Sequence, residues 1–148
     1  MYKHILIATD GSDLAQKAES TALTLAKALN ARATAVTVTE PWDAFSMAAL
    51  AERGLPNPVA DYDESVAAAA NRILWGVGET AKKIGISCTT LHVKDRYPAE
   101  GIIEAAKERG CDLIVMASHG RRGISKVLLG SQTTKVVTLS PVPVLVCR

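Results

Sequence analysis

Apolar positions along this chain form two alternating patterns: short unbroken runs, and longer stretches with an apolar residue every three or four positions. The short runs predict five strands: His4–Thr9 (HILIAT), Ala33–Val38, Ser87–Val93, the run Leu113-Ile114-Val115-Met116, and Val142–Cys147. The LIVM run does not alternate, as expected of a strand covered on both faces. The periodic stretches predict helices. Leu14, Ala18, Ala22, Leu25 and Leu29 share one face between Leu14 and Leu29, with Asp10-Gly11-Ser12-Asp13 supplying cap candidates and Asn30 a stop. Val66, Ala70, Ile73, Val77 and Ile84 do the same between Glu64 and Ile84, ended by Gly85. Pro98 suits the first turn of a helix to Arg109 with Ile102, Ile103 and Ala106 inward and Gly110 as its stop. A last helix runs from a Ser131 cap to about Leu139.

Glu40–Asp63 is the least regular stretch, with Pro41, Gly54, Pro56 and Pro58, and a short helix from Ala44 to Arg53 capped by Asp43. Its length fits a lid or a partner-contacting loop as well as an ordinary surface excursion. Trp75 is the one large aromatic of the second long helix, and core packing or a subunit contact explains it better than a ligand stack. Strand and helix alternate five times, which specifies one α/β domain over 1–148. A parallel sheet carries helices on both faces, with right-handed crossovers. Pro141 and Pro143 place the closing strand at a sheet edge, where Val142, Val144 and Val146 are either protected or paired.

Bulk properties narrow the field. A net charge of +2 gives no general attraction to nucleic acid or membrane, so electrostatic binding must come from a local patch such as Arg121, Arg122 and Lys126. Cys88, Cys111 and Cys147 lack CxxC spacing and read as small apolar residues of a reducing compartment, not zinc ligands. The first residues, MYKHILIATDG, enter a strand directly, with no leader-peptide pattern. No apolar run approaches the roughly 18–20 residues that span a bilayer. A soluble cytoplasmic protein is expected, without membrane insertion or nucleic-acid binding.

The candidate chemistry lies where strands end. In open α/β sheets ligands bind beyond the carboxyl ends of strands, where strand order reverses. Two loops suit that crevice: Thr9-Asp10-Gly11-Ser12 after strand one, and Ala117–Ser131 after strand four. The second joins a strand end, a glycine-bearing loop and a helix N-terminus, which offers bare N–H groups and partial positive charge to a phosphate. Each residue also has a plainer reading. Asp10 serves equally as a helix cap, Gly120 and Gly130 as turn residues, and His119 as a group that orients the loop.

Four motifs in order, ATDGS (Ala8–Ser12), DLIVMASHG (Asp112–Gly120), LLGS (Leu128–Ser131) and PVPVLV (Pro141–Val146), resemble the universal stress protein family over nearly the whole chain. ATP-binding members resemble one another in Gly, two residues, Gly, nine residues, Gly, then Ser or Thr. Gly120, Arg121–Leu129, Gly130 and Ser131 fit the second part, whereas Ala117 replaces the first glycine. A methyl there is harmless if residue 117 is still in extended strand geometry.

The resemblance implies a Rossmann-like sheet ordered 3-2-1-4-5 and a homodimer formed by antiparallel pairing of the final strand, Val142–Cys147. It implies that Asp10 faces ribose or adenine and that Val38 packs on the base. Gly120, Gly130, Ser131 and Gln132 would hold the phosphates. Thr9, Gly11, Met116, Ala117, His119, Arg121 and Thr133 complete the expected nucleotide-binding set. The cofactor would be ATP, with Mg or Mn in some relatives, and no residue is expected to act as a catalyst or as a dedicated metal ligand.

A sensor or regulator of stress responses, read by a regulatory protein partner and at most a slow ATPase, follows from the resemblance. The missing Walker-type GxxxxGK[ST] argues against efficient phosphoryl transfer. The rival is a dimer of the same fold that binds partners and no nucleotide, which Ala117 favours. An ATP pyrophosphatase-like enzyme is a third reading, weakened because TDGSD carries a single glycine where such proteins carry SGGxDS.

Overall fold

The unbroken apolar runs become a five-stranded parallel sheet ordered β3-β2-β1-β4-β5. Its strands are β1 (His4–Ala8), β2 (Arg32–Val38), β3 (Cys88–Val93), β4 (Leu113–Ala117) and β5 (Val144–Cys147). The computed structural model describes residues 1–121 and 128–148. The helices are α1 (Asp13–Leu29), α2 (Ala44–Glu52), α3 (Pro58–Ile84), α4 (Pro98–Arg109) and α5 (Ser131–Leu139). Arg122 and Lys126 of the expected basic patch lie outside the described residues.

Every residue of β1 and β4 is buried, which is why these runs are apolar without alternation. On one face Ile5, Ile7 and Val115 meet Ala18, Ala22 and Leu23 of α1 and Leu74 and Val77 of α3. On the other, Leu6, Val36, Ile114 and Met116 meet Ile102 and Ala105 of α4 and Val136 of α5. The order turns back between β1 and β4, so the carboxyl ends of these two strands open the crevice in which such sheets bind ligands.

Local signals set the helix ends. Ser12 caps α1, its Oγ accepting the Ala15 N–H at 3.3 Å, a contribution of about 1 kcal/mol. That removes Asp10 from the cap position. Asn30 closes α1 in a left-handed conformation, and Asp43 caps α2 through the Ser46 N–H at 2.8 Å.

Four expectations are corrected. α3 begins at Pro58 instead of Glu64, because proline at the first helical position has no N–H to lose there. The cap of α5 is Gly130 and not Ser131: Gly130 is extended (φ −66°, ψ 157°) and its carbonyl accepts the Thr134 N–H at 2.9 Å. β5 starts at Val144, although the Pro143 carbonyl already accepts the Ile114 N–H at 3.0 Å. Trp75 is 70% exposed, one position beyond the buried Leu74, so core packing does not explain it.

The cysteines are unpaired, and burial pushes the Cys111 thiol up to about 11. Among the described residues no helix is long and apolar enough to cross a membrane.

His4 opens β1 in a buried position. Its Nε2 lies 2.8 Å from Thr34 Oγ1, which in turn lies 2.9 Å from Thr89 Oγ1, a polar ladder across β1, β2 and β3. Burial first, then the Arg32 charge, hold its pKa below the usual imidazole value, while the Asp112 carboxylate opposes the shift. The unfolded chain therefore binds a proton more readily than the fold as pH falls below about 6.5. Stability contributed by neutral His4 is complete above that pH and is lost toward its lower folded pKa. His92 is shifted the same way by burial and Lys94. Melting temperature is expected to drop between about pH 7 and about pH 5, with a shallower drop in His4→Gln. Equal slopes in the two proteins would show that His4 carries none of the effect.

Candidate functional site

A cavity of about 720 Å³ opens above the carboxyl ends of β1, β2 and β4, a size typical of small-molecule sites. Twelve of the thirteen expected residues line it: Thr9, Asp10, Val38, Met116, Ala117, His119, Gly120, Arg121, Gly130, Ser131, Gln132 and Thr133. Gly11 instead borders a smaller groove between α1 and α3. There it has φ +75°, and a Cβ would lie 2.7 Å from Ile73 Cγ1, so both backbone and space demand glycine.

The turn after β1 is held by its own side chains. Thr9 Oγ1 donates to the Glu19 carboxylate and accepts the Gly11 N–H at 3.1 Å, while Thr37 Oγ1 donates to the Thr9 carbonyl at 3.0 Å. The hydroxyl of Thr9 thus shapes the turn. Burial raises the Glu19 pKa, partly offset by the Thr9 hydrogen bond. Asp10 reaches in two directions. Its Oδ1 accepts the Ser12 N–H at 3.0 Å, and its Oδ2 accepts the Arg121 N–H at 2.7 Å, tying the loop after β1 to the loop after β4.

The loop after β4 leaves the sheet under close backbone constraint. Ser118 gives its N–H to the Cys147 carbonyl at 2.7 Å and accepts the Gly130 N–H on its own carbonyl at 2.8 Å. A Cβ on Gly130 would sit 3.3 Å from the Ser118 oxygen, and one on Gly120 3.0 Å from Asp10 Oδ2. Neither glycine has positive φ, so the need at both is space and not turn conformation. Ala117 ends β4 in extended geometry, its carbonyl accepting from Thr133 Oγ1 at 3.1 Å, and its backbone therefore has no need of glycine.

Because a glycine occupies the cap of α5, no side chain covers the N–H groups of its first turn. These bare groups and the helix dipole make the α5 end of the cavity attractive to an anion. The Gln132 side-chain oxygen is committed elsewhere, accepting the Ala99 N–H at 3.1 Å at the start of α4. His119 stands beside this end, with Nδ1 3.0 Å from Ser118 Oγ. Its Nε2 is shielded from water and has no hydrogen-bond partner among the described residues, an orphaned polar atom that a ligand oxygen would satisfy.

The opposite end is apolar and was only partly legible. Val36, Val38 and Ile102 face Val66, Ala70 and Ile73 of α3 across the cavity. Tyr62 also lines it, its hydroxyl donating to the Glu40 carbonyl at 2.9 Å and fastening α3 to the end of β2. Tyr62 falls in the stretch read as irregular, and Pro58 was the signal that would have extended the helix over it. Gly101 is a further unforeseen constraint: a Cβ there would meet Val38 Cγ1 at 2.7 Å, so glycine lets α4 close on the cavity floor.

An apolar slot, a carboxylate midway and an uncapped helix N-terminus fit a base, a sugar and a phosphate in that order. The residues present suit a nucleotide. Among the described residues no group of three acidic, histidine or cysteine side chains converges on a point, so a divalent ion would depend on the nucleotide for much of its coordination.

Comparison with known proteins agrees with this geometry. The model of the universal stress protein family matches residues 1–148. A universal stress protein of Thermus aquaticus is 36% identical over 148 residues, covering all of both chains. Among solved structures, MJ0577 aligns with TM-score 0.80 and 26% identity over 99% of this chain and 96% of its own. A universal stress protein in complex with cAMP aligns with TM-score 0.73 and 28% identity, covering 99% and 97%.

Proposed function

Since the chain belongs to the universal stress protein family, we propose that it binds an adenine nucleotide, ATP with Mg or Mn, in the cavity above β1 and β4. In this reading it is a cytoplasmic homodimer that senses or regulates a stress response through a protein partner. The observation that carries the proposal is the α5 N-terminus, left without a side-chain cap at one end of a cavity whose other end is apolar. The cAMP complex of a relative supports a purine nucleotide as the ligand class.

The chain's residues would then bind and orient rather than transform. Val38 and the α3 wall would hold the base, Asp10 the ribose, and the α5 N-terminus with His119 Nε2 a phosphate. ATP supplies the phosphate tail and its metal the charge compensation. The absence of a Walker-type lysine in the sequence makes at most slow hydrolysis the expectation. Pairing through the exposed edge of β5 would cover the solvent-exposed Leu145, which shares the α1 face with Val115, while the exposed Val137 and Leu139 of α5 flank the other face.

The nucleotide-free dimer is favoured by one feature, the Ala117 methyl in the cavity lining. Titration calorimetry with AMP, ADP and ATP, together with absorbance of material released by acid precipitation, separates the two. Binding heat at concentrations up to about 1 mM, or copurifying adenine, is expected. Neither signal would leave the nucleotide-free reading standing.

A further inference from the structure

Resting on the nucleotide reading, we propose that Glu19 is a positioning residue of the site. From a groove behind the turn its carboxylate orients the Thr9 hydroxyl and, through it, the Asp10–Gly11 peptide that aims Asp10 at the ligand.

The members of this relay lie in two places. Thr9 and Asp10 line the cavity, whereas Glu19 lines the groove between α1 and α3 together with Gly11, Gln16 and Arg72. The Thr9 hydroxyl joins the two, donating to the Glu19 carboxylate and accepting the Gly11 N–H at 3.1 Å. A hydroxyl has one proton to give, and an ionised carboxylate can only accept. Glu19 therefore takes that proton in a charge-assisted bond and leaves a lone pair turned to Gly11. Without an acceptor at position 19 the hydroxyl is free to rotate, and its proton competes for the space toward which the Gly11 N–H points.

Holding that N–H holds Asp10. The Gly11 N–H belongs to the same planar unit as the Asp10 carbonyl, so the backbone of Asp10 is fixed on its C-terminal side. The peptide before it is fixed from β2, where Thr37 Oγ1 donates to the Thr9 carbonyl at 3.0 Å. α1 grips the turn a second time: Gln16 Nε2 donates to the Gly11 carbonyl at 3.3 Å. Gln16 and Glu19 stand three positions apart on α1 and so share a face. The direction of the Asp10 carboxylate is thus set by a main chain pinned on both sides.

The charge of Glu19 does not serve the fold. Burial raises its pKa, the Thr9 hydrogen bond offsets part of the rise, and the Asp10 charge adds to it. A carboxylate whose folded pKa is raised ionises more readily in the unfolded chain, so above that pKa its charge opposes folding. The groove would accept leucine there among Leu23, Ile73 and Val77.

Calorimetry with AMP on Glu19→Leu and Glu19→Gln, each alone and combined with Thr9→Val, tests the relay. Both replacements remove the charge, but only glutamine keeps an acceptor for the Thr9 hydroxyl. Glu19→Leu is expected to bind AMP about tenfold more weakly than Glu19→Gln. Its melting temperature at about pH 7.5 is expected to be no lower than that of the wild type. In the Thr9→Val background the two replacements are expected to agree within about twofold, because the group they act through is gone. Equal AMP affinity in the two single variants, a difference that persists with Thr9→Val, or a lowered melting temperature in Glu19→Leu overturns the positioning role. AMP binding to the wild type leaves the nucleotide reading intact in each of those cases, and its absence overturns both.

Discussion

Gly130→Val is expected to abolish nucleotide binding, with affinity reduced about a hundredfold or more, while the far-UV spectrum is preserved. The backbone is not the obstacle, since φ at Gly130 is −66° and any residue can adopt it. The obstacle is space: the first carbon of a side chain would stand 3.3 Å from the Ser118 carbonyl and 3.6 Å from His119 Cα. The same contact carries the Gly130 N–H to Ser118 bond that fixes the start of α5. Alanine asks a few tenths of an ångström of its neighbours and should weaken binding less. Valine adds two methyl groups at the mouth of the bare helix N-terminus, with a stability cost of about 1–3 kcal/mol from overpacking. Calorimetry for affinity and circular dichroism for the fold check the result. Wild-type affinity in the valine variant would mean that the phosphate sits elsewhere.

Val146→Pro is expected to halve the mass measured by light scattering if the proposed dimer forms through β5. The carbonyls of Pro143 and Cys147 accept from Ile114 of β4 and from Ser118 just after it. Strand backbone groups alternate in direction, so the N–H and C=O groups of Val144 and Val146 face outward at the sheet edge. Proline at 146 deletes one outward donor and leaves the inward ladder untouched. Val144 is a poorer site for the test because it packs against the core beneath α4 and α5. A dimer of unaltered mass in Val146→Pro would remove the β5 edge as the interface.

These two sites differ in how much of them could be read from the residues. β1 and β4 lie within a residue of the runs that predicted them, because burial on both faces leaves no alternation to misread. Gly120, Gly130 and Ser131 line the end of the cavity where α5 begins, and twelve of the thirteen expected residues meet in that one cavity. The start of α3 was set by a local feature, Pro58, and the cap of α5 by a tertiary one, the close approach of Ser118. Ser131 has the better capping side chain, yet Gly130 holds the cap, extended with its N–H on the Ser118 carbonyl and its own carbonyl accepting the Thr134 N–H. Pro56 and Pro58 looked like loop residues until one of them began a helix. Nothing along the chain announces that Asp10 would reach a backbone amide 111 positions away, since that bond exists only once β1 and β4 lie side by side.

The central place of β1 has a consequence for synthesis. One side of that strand is completed by β4, and Asp112 just before it accepts the His4 N–H across 108 positions of chain. At roughly 5–20 residues per second on the ribosome, β1 waits about 5 to 20 s for that neighbour, and its apolar side chains wait with it. A nascent chain of this architecture offers chaperones a long window on HILIA, and the cavity above β1 and β4 takes shape only once β4 and the start of α5 have been made.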